Sequence, residues 1–273
     1  MDSKAKARRA AEGAGDHPAL EGLARVGYAV SGLIHLLIAW IAGQVALGGG
    51  GGGEADQGGA LQQVAQAPAG AVILWIGVIG FAALALWQVL EAVVGRHGGD
   101  DKERMASRGK AAAKGGVYLA LGVTTWQFAS GGGSDSGETS ADVTQQLMQV
   151  PGGMVLVILL GLVVVAVGVY HVYKGATKKF LEDLQGTGGG ELGRGVRYAG
   201  MAGYVAKGVA LVVVGGLFVF AGLQSDPEEA TGLDGALKVV AEQSYGTVML
   251  LLVALGLAAY GAYSFARARF ARM

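Results

Sequence analysis

Six polar side chains interrupt long apolar runs of this sequence, and their types could support chemistry: His35, Glu91, Thr124, Gln127, His171 and Lys207. Polar and ionisable groups inside a membrane span are costly, and they often mark a proton, ion or substrate site. His35 lies near the middle of the first run and is the clearest candidate. The alternative, which we favour, is a neutral imidazole that donates a hydrogen bond to a carbonyl of a neighbouring helix.

Lys207 and Glu91 each allow two interpretations. Lys207 lies in the inner third of the fifth run, where a lysine can extend its ammonium to the headgroups. Lys114 at the equivalent repeat position favours this structural role. Glu91 ends the second run, and we expect it to pair with a Lys or Arg of another repeat; the alternative is a proton or ion site. We expect His171 to face the membrane interface.

No pattern in the sequence predicts an enzyme. There is no nucleophile–base pair or pair of carboxylates, so no residue is predicted to be catalytic. Cysteine is absent, and no histidine has a second ligand at metal-binding spacing, so neither a metal nor a cofactor is expected. The glycine-rich segments lack the phosphate-loop pattern. The formal net charge is zero, which gives no indication of a nucleic-acid partner.

The elements that hold these residues are membrane helices. Hydrophobic residues make up 52% of the chain and charged residues 15%, against about 25% charged in soluble domains. About 20 apolar residues span a bilayer core. Six runs reach or approach this length: 24–47, 69–95, 111–129, 152–173, 201–223 and 247–265. We therefore predict an all-α integral membrane protein with six transmembrane helices.

Three tandem repeats organise the six runs. Gly32, Gly115 and Gly208 share one position of the first helix, and a second set of glycines begins the second helix (Gly70, Gly153 and Gly246). Both sets are offset by the same two intervals, which predicts three hairpins (24–95, 108–180 and 196–270) after a disordered basic tail, 1–22. A pseudo-threefold bundle is the natural closed arrangement. We expect Gly, Ala, Val and Leu to fill its centre and leave no continuous water-filled path.

The connections differ in charge according to the end of the bundle that they occupy. Every Lys and Arg except Lys207 and Lys238 falls at the end that carries both termini, and acidic residues dominate the opposite connections. The positive-inside rule then makes both termini cytoplasmic. Before each even-numbered run, apolar residues recur at helical spacing (Leu61/Val64, Val143/Leu147 and Leu233/Leu237). These segments are predicted to be short amphipathic helices in the outer loops.

Two segments carry a resemblance to a known family. The ending 256–272 and the repeat opening 200–208 resemble an actinobacterial membrane family with three tandem copies of a two-helix domain of unknown function 1206. The resemblance implies a bacterial plasma-membrane protein with six spans. It carries over no catalytic or binding residue.

Two classes of function remain open. The first is a non-enzymatic structural or interaction component of the cell envelope, because the spans hold few polar groups. The alternative is a small-solute or ion transporter or channel along the pseudo-threefold axis, with His35, Thr124, Thr125 and Gln127 as its plausible polar wall. The expected partners are the lipid bilayer, anionic lipids at the inner face, and a membrane protein or a second copy of the chain.

Overall fold

The computed structural model describes residues 18–48, 53–94, 101–133 and 136–272. These residues form nine α-helices and two short 3₁₀ helices, with no strand among them. The α-helices are α1 Pro18–Ala46, α2 Gln57–Gln66, α3 Gly70–Val94, α4 Asp101–Ala129, α5 Ser136–Met148, α6 Gly153–Ala176, α7 Gly190–Gln224, α8 Gly232–Ala241 and α9 Gly246–Phe270. The 3₁₀ helices are Lys179–Asp183 and Pro227–Glu229.

Each repeat is a long helix, a short helix and a second long helix. This confirms the three tandem repeats and the short helices in the connections. At the start of α3, α6 and α9, a Cβ on Gly70, Gly153 or Gly246 would collide with a carbonyl of the preceding short helix. The repeated glycine therefore allows the tight turn between the two helices. Helix α1 begins at Pro18, a favourable first position for proline, inside the segment predicted as a tail; residues 1–17 lie outside the described residues.

Five of the described helices are long and apolar enough to cross a membrane: α1, α3, α6, α7 and α9. The chain is therefore an all-helical membrane protein. Helix α4 has 29 residues, which exceeds the ~20 needed for a span, but its first half is rich in charge. The sixth span stays a prediction for this reason.

Glycines bring each repeat close to the next one. Helix α3 packs on α4, α6 on α7, and α9 on α1, which closes the cycle of repeats. A Cβ on Gly208 would lie 2.6 Å from the Gly168 carbonyl oxygen, and one on Gly32 would lie 3.0 Å from that of Gly261. At Gly115 the equivalent distance, to the Ala85 oxygen, is 3.7 Å. All three contacts between repeats thus bring a glycine close to a backbone carbonyl of the neighbouring helix, and the approach is loosest between α3 and α4.

Packing within the repeats is not threefold. Helices α1 and α3 pack on each other, and so do α7 and α9, but α4 and α6 show no such packing among the described residues. The helices follow one another in the order α4, α3, α1, α9, α7, α6. The closed ring predicted from the sequence is wrong at this one place. We call the gap between α4 and α6 the seam.

Both ends of the ring are covered. At the acidic end the short helix α5 contacts both α2 and α8, and Leu61 of α2 and Leu237 of α8 are buried. There the Ala55 amide donates a 2.8 Å hydrogen bond to Asp234. At the basic end the segment Lys179–Asp183 places Phe180, which is fully buried, against aromatic rings of α7 and α9. Among the described residues, the seam is the side of the ring that these two layers leave uncovered.

Candidate functional site

Aromatic and cationic side chains fill the interior of the ring in its basic half. Tyr204 of α7 contacts Tyr260 and Tyr263 of α9, with ring centroids 5.3 and 5.5 Å apart. On the other side, Tyr28 of α1 meets Tyr118 of α4 edge to face at 6.1 Å. The expectation of a centre made of Gly, Ala, Val and Leu is therefore wrong for this half of the bundle.

His35 and Lys207 meet in this interior although 172 residues separate them in the chain. The Lys207 Nζ lies 3.1 Å from the His35 Nε2 and 4.3 Å from the centroid of the Tyr260 ring. The His35 ring lies 4.7 Å from the same tyrosine. Helix α9, which runs between α1 and α7, thus supplies the aromatic surface under the pair.

The hydrogen bonds define the tautomer of His35. Its Nδ1 lies 2.7 Å from the Ser31 carbonyl oxygen, and a carbonyl can only accept, so Nδ1 carries the proton. The Nε2 lone pair is then free to accept from the lysine ammonium. His35 is neutral, as expected, and donates within its own helix. The sequence predicted that the Lys207 ammonium would extend to the headgroups at the basic end. It contacts the imidazole of His35 instead, whose repeat equivalent on α7 is Leu211, one helical turn after Lys207.

A charged cluster lies at the basic end of the interior. The Lys174 ammonium of α6 is 2.5 Å from the Asp183 carboxylate of the 3₁₀ segment. Burial alone would raise the pKa of Asp183, but the positive charges of Arg267, Lys174 and Lys114 outweigh it and hold that pKa below its ordinary value of 3.8. The Arg267 guanidinium stacks on Tyr28 at 4.2 Å. Its buried Nε has no hydrogen-bond partner among the described residues.

His171 and Glu91 lie on the wall of the same interior. The His171 ring stacks on Tyr204 at 5.6 Å, and its Nδ1 is 2.8 Å from the Val167 carbonyl oxygen. Glu91 of α3 is half-buried, and its charge acts on Lys114 of α4. A pairing of Glu91 with a cation of another repeat thus agrees with its position.

Thr124 and Gln127 do not join this cluster. The Thr124 hydroxyl donates to the Ala120 carbonyl of its own helix, and Gln127 is exposed. Thr125 is fully buried, next to Gly77 of α3. The polar wall proposed for a transport path is therefore not assembled, and His35 is joined by Lys207 instead.

Two substitutions within the repeat pattern account for the seam. In the first repeat a Cβ on Gly27 would lie 2.5 Å from the Gly80 carbonyl oxygen. In the third repeat the equivalent Gly203 and Gly256 make similarly close contacts across α7 and α9. The second repeat has Lys110 and Val163 at these positions. Close approach of two helices requires small residues at the crossing, so α4 and α6 stay apart.

The side chains along the seam are exposed where their repeat equivalents are buried. Val117 of α4 is 59% exposed, whereas the equivalent Ile34 and Ala210 are 4% and 6% exposed. On α6, Tyr170 is 43% exposed, but Tyr263 of the third repeat is fully buried. The seam is therefore an unpartnered apolar face at positions that the other two repeats use for internal packing.

Other types of site find no support in the described ranges. No group of three or more His, Cys, Asp or Glu residues that could hold a metal occurs there. Two surface depressions lie at the rims of the bundle, one beside Arg25 and Arg269 and the other beside Leu47 and Thr247. Neither contains a residue of the interior cluster.

Comparison with known proteins yields a family and one curated relative. The sequence profile of a family described as Domain of Unknown Function (DUF1206) matches residues 26–95, 109–178 and 202–271. The chain is also similar to a Bacillus subtilis (strain 168) protein described as uncharacterized protein YxxB. The two are 26% identical over 252 residues, which cover 90% of each chain. No solved structure matches, and an actinobacterial origin stays a prediction.

Proposed function

This chain belongs to the DUF1206 family, and from that premise we propose that it is a structural or interaction component of the bacterial cell envelope. It lies in the plasma membrane with both termini in the cytoplasm. It has no enzymatic activity, and it binds another membrane component sideways, through the seam between α4 and α6.

The observation that carries the proposal is the break in threefold packing at the second repeat. Lys110 and Val163 take the places of glycines that bring helices together in the other two repeats. A stable membrane bundle gains from close helix packing, and this repeat forgoes it along a whole face. Lipid tails cover exposed apolar faces of a membrane bundle in general, so what distinguishes this face is that the other two repeats use its positions for close helix packing.

The covered ends of the ring favour lateral binding over an axial path. Leu61 and Leu237 are buried beneath the short helices of the acidic end, and Phe180 is buried at the basic end. Solute passing along the axis would have to displace both layers. A partner that approaches from within the bilayer meets no such obstacle at the seam.

The contact between His35 and Lys207 favours one alternative, a solute or ion carrier. A cation next to an imidazole in the bundle interior could bind a small anion during transport. Such a carrier would need α2, α5 and α8 at one end, and the Phe180 segment at the other, to open in turn. The carrier alternative therefore depends on movements of two packed layers.

Photo-crosslinking from adjacent residues of α6 tests the proposal. Val163 faces the seam, and Leu162 shares its repeat position with Ile79 and Leu255, which are exposed on the outer side of the bundle; the exposures of Val163 and Leu162 are similar, 59% and 51%. A benzophenone amino acid at Val163 should give one defined adduct in cells, and the same group at Leu162 should give only diffuse products.

Closing the seam supplies the control. With the benzophenone placed at Val117 of α4, the defined adduct should form in the wild-type background. It should disappear when Lys110→Gly and Val163→Gly restore the two glycines. An adduct that forms equally at Val117, Val163 and Leu162, or that survives closure of the seam, would refute a dedicated lateral binding surface.

A further inference from the structure

We infer that the occupant of the seam is an anionic phospholipid, whose phosphate lies on Lys110 and Lys114 and whose acyl chains run between α4 and α6. This inference rests on the proposed function, because it names the component that the seam binds. It is carried by the charges at one end of the seam and the apolar surface along the rest.

Lys110 and Lys114 lie one helical turn apart on α4, and both are exposed. The repeat position of Lys110 faces the partner helix in the other repeats, so its side chain emerges at the seam. Lys114 follows on the interior side, within electrostatic reach of Arg267, Lys174, Asp183 and Glu91. Asp183 is paired with Lys174. Lys110 is therefore available to a negatively charged ligand, and Lys114, which also lies near the carboxylates of Glu91 and Asp183, adds its positive charge behind Lys110.

Arg267 adds a buried donor behind the two lysines. Its Nε has no hydrogen-bond partner among the described residues, and a buried donor of this kind costs stability until an acceptor reaches it. A phosphate accepts several hydrogen bonds from basic side chains. A headgroup at the mouth of the seam brings acceptor oxygens toward this part of the interior.

The rest of the seam suits acyl chains. On α6 the exposed apolar residues along this face extend from Tyr170 back to Leu156, a rise of roughly 21 Å at 1.5 Å per residue. One leaflet of the hydrocarbon core is about 15 Å thick. The α4 side is lined by Val117, and nearer the acidic end Phe128 of the same helix is buried. A lipid with its headgroup at the basic end fits both the length and the polarity.

The experiment compares two lipids with identical acyl chains on the full-length chain in detergent. Phosphatidylglycerol, which is anionic, should be retained in native mass spectra and should raise the unfolding temperature more than phosphatidylcholine does. Each lysine near an anionic headgroup contributes a factor of about 5 in affinity. Lys110→Gln should therefore weaken phosphatidylglycerol binding about 5-fold, and Lys110→Gln with Lys114→Gln about 30-fold.

A charge-matched pair of variants serves as the control. Arg194→Gln with Arg197→Gln removes two exposed cations at the same end of the bundle, on α7 away from the seam. This pair should leave the lipid preference unchanged. Val163→Trp, which fills the seam, should reduce retention of both lipids while the unfolding temperature in lipid-free detergent stays near that of wild type.

Three results would overturn the inference. One is equal retention of the two lipids by the wild-type protein. Another is the same stabilisation by inorganic phosphate alone, which would assign the lysines to a free anion. The third is a dimer that dissociates on Val163→Trp, which would assign the seam to a second copy. In this last case the benzophenone adduct at Val163 would remain, so the lateral surface would stand and only its lipid occupant would fail.

Discussion

At the scale of single residues, two contacts hold the Lys207 ammonium inside the bundle. The Nε2 of His35 accepts a hydrogen bond from it, and the Tyr260 ring lies against it. His35→Leu removes the acceptor and leaves the Lys207 ammonium on Tyr260 alone. We expect a loss of about 0.5–2 kcal/mol in the free energy of unfolding, since hydrogen bonds between membrane helices contribute about 0.6 kcal/mol on average and up to about 2 kcal/mol. Unfolding in mixed micelles would measure it.

His35→Gln provides the matched control, because its amide can still donate to Ser31 and accept from Lys207. It should keep most of the wild-type stability. In the double variant His35→Leu/Lys207→Met the buried cation is absent, so part of the stability should return. If Lys207→Met destabilises the His35→Leu variant by as much as it destabilises the wild-type protein, the two residues are not coupled.

The pair Lys174–Asp183 predicts a dependence of stability on pH. The pKa of Asp183 is lower in the folded protein than its ordinary value of 3.8, so folding favours the carboxylate. The stability that this pair contributes is present above pH 3.8 and is lost as the pH falls below it. Unfolding temperatures between pH 3 and 6 should decline at the acidic limit in the wild-type protein.

Asp183→Asn isolates this effect. The amide cannot ionise, so the decline below pH 3.8 should become shallower, while stability at pH 7 falls by about 1–3 kcal/mol because Lys174 loses a charged partner. Glu182→Gln, which changes a neighbouring carboxylate, should leave the pH profile intact. The same decline in Asp183→Asn as in wild type would contradict the assignment.

Residue types predicted the character of His35 but not its partner. A histidine in an apolar run indicates a hydrogen-bonded imidazole, and the structure agrees. The contact with Lys207 depends on α9 lying between α1 and α7, which is a tertiary fact without a local signal. Repeat equivalence even pointed elsewhere, because Lys114 and Ser31 share the position of Lys207.

At the scale of helices, glycine contacts between repeats determine how closely the chain can pack. A Cβ on Gly208 would lie 2.6 Å from the Gly168 oxygen and 2.7 Å from the Val172 nitrogen, and backbone atoms cannot yield as a flexible side chain can. Gly208→Ala should therefore destabilise the bundle by about 1–3 kcal/mol, and Gly208→Leu should separate α6 from α7. Thermal unfolding in detergent is the measurement.

Gly216 on the same helix is the control for that prediction. It has no atom within 4 Å of an added Cβ, so Gly216→Ala should be tolerated and should gain slightly from the better helix propensity of alanine. Gly115→Ala, with its nearest atom at 3.4 Å, should be mild. Equal effects at Gly208 and Gly216 would show that α6 and α7 do not pack closely through this face.

The helices and their repeat could be predicted because both depend on local patterns. Apolar length and the recurrence of Gly70, Gly153 and Gly246 define the hairpins, and the short amphipathic helices follow from spacing alone. The seam was also encoded, since Lys110 and Val163 depart from the glycines of the other repeats. That signal is visible only when equivalent positions are compared for size, and not for polarity.

At the scale of the whole molecule, the charge of the connections predicts the topology. Single cysteines in this cysteine-free chain at Ser136 and at Glu228, which is exposed, should react with an impermeant thiol reagent added to intact cells. A cysteine at Gly189 should react only after the cells are opened, because Lys and Arg concentrate on the cytoplasmic side. Labelling of the Gly189 variant in intact cells would reverse the orientation.

The last prediction concerns the asymmetry of the ring, which distinguishes a bundle with one open face from a closed threefold scaffold. Val30 and Gly77 are neighbours across the packed first repeat, with 3.2 Å between Val30 and a Cβ on Gly77. Their equivalents across the seam are Ala113 and Leu160. A disulfide needs Cα atoms within about 7 Å. Cysteines at Val30 and Gly77 should therefore oxidise readily, and cysteines at Ala113 and Leu160 should not.

Restoring the glycines should then convert the second repeat into the form of the other two. In the background Lys110→Gly/Val163→Gly, α4 and α6 can approach each other as α1 and α3 do, and the cysteines at Ala113 and Leu160 should form a disulfide. The same change should abolish the adduct at the seam, because the bound component and the second helix compete for one face. Rapid oxidation of the Ala113/Leu160 pair in the wild-type background would mean that the ring is closed. The position of Lys110 and Val163 would then have no consequence for binding, and the lateral surface would have to be abandoned.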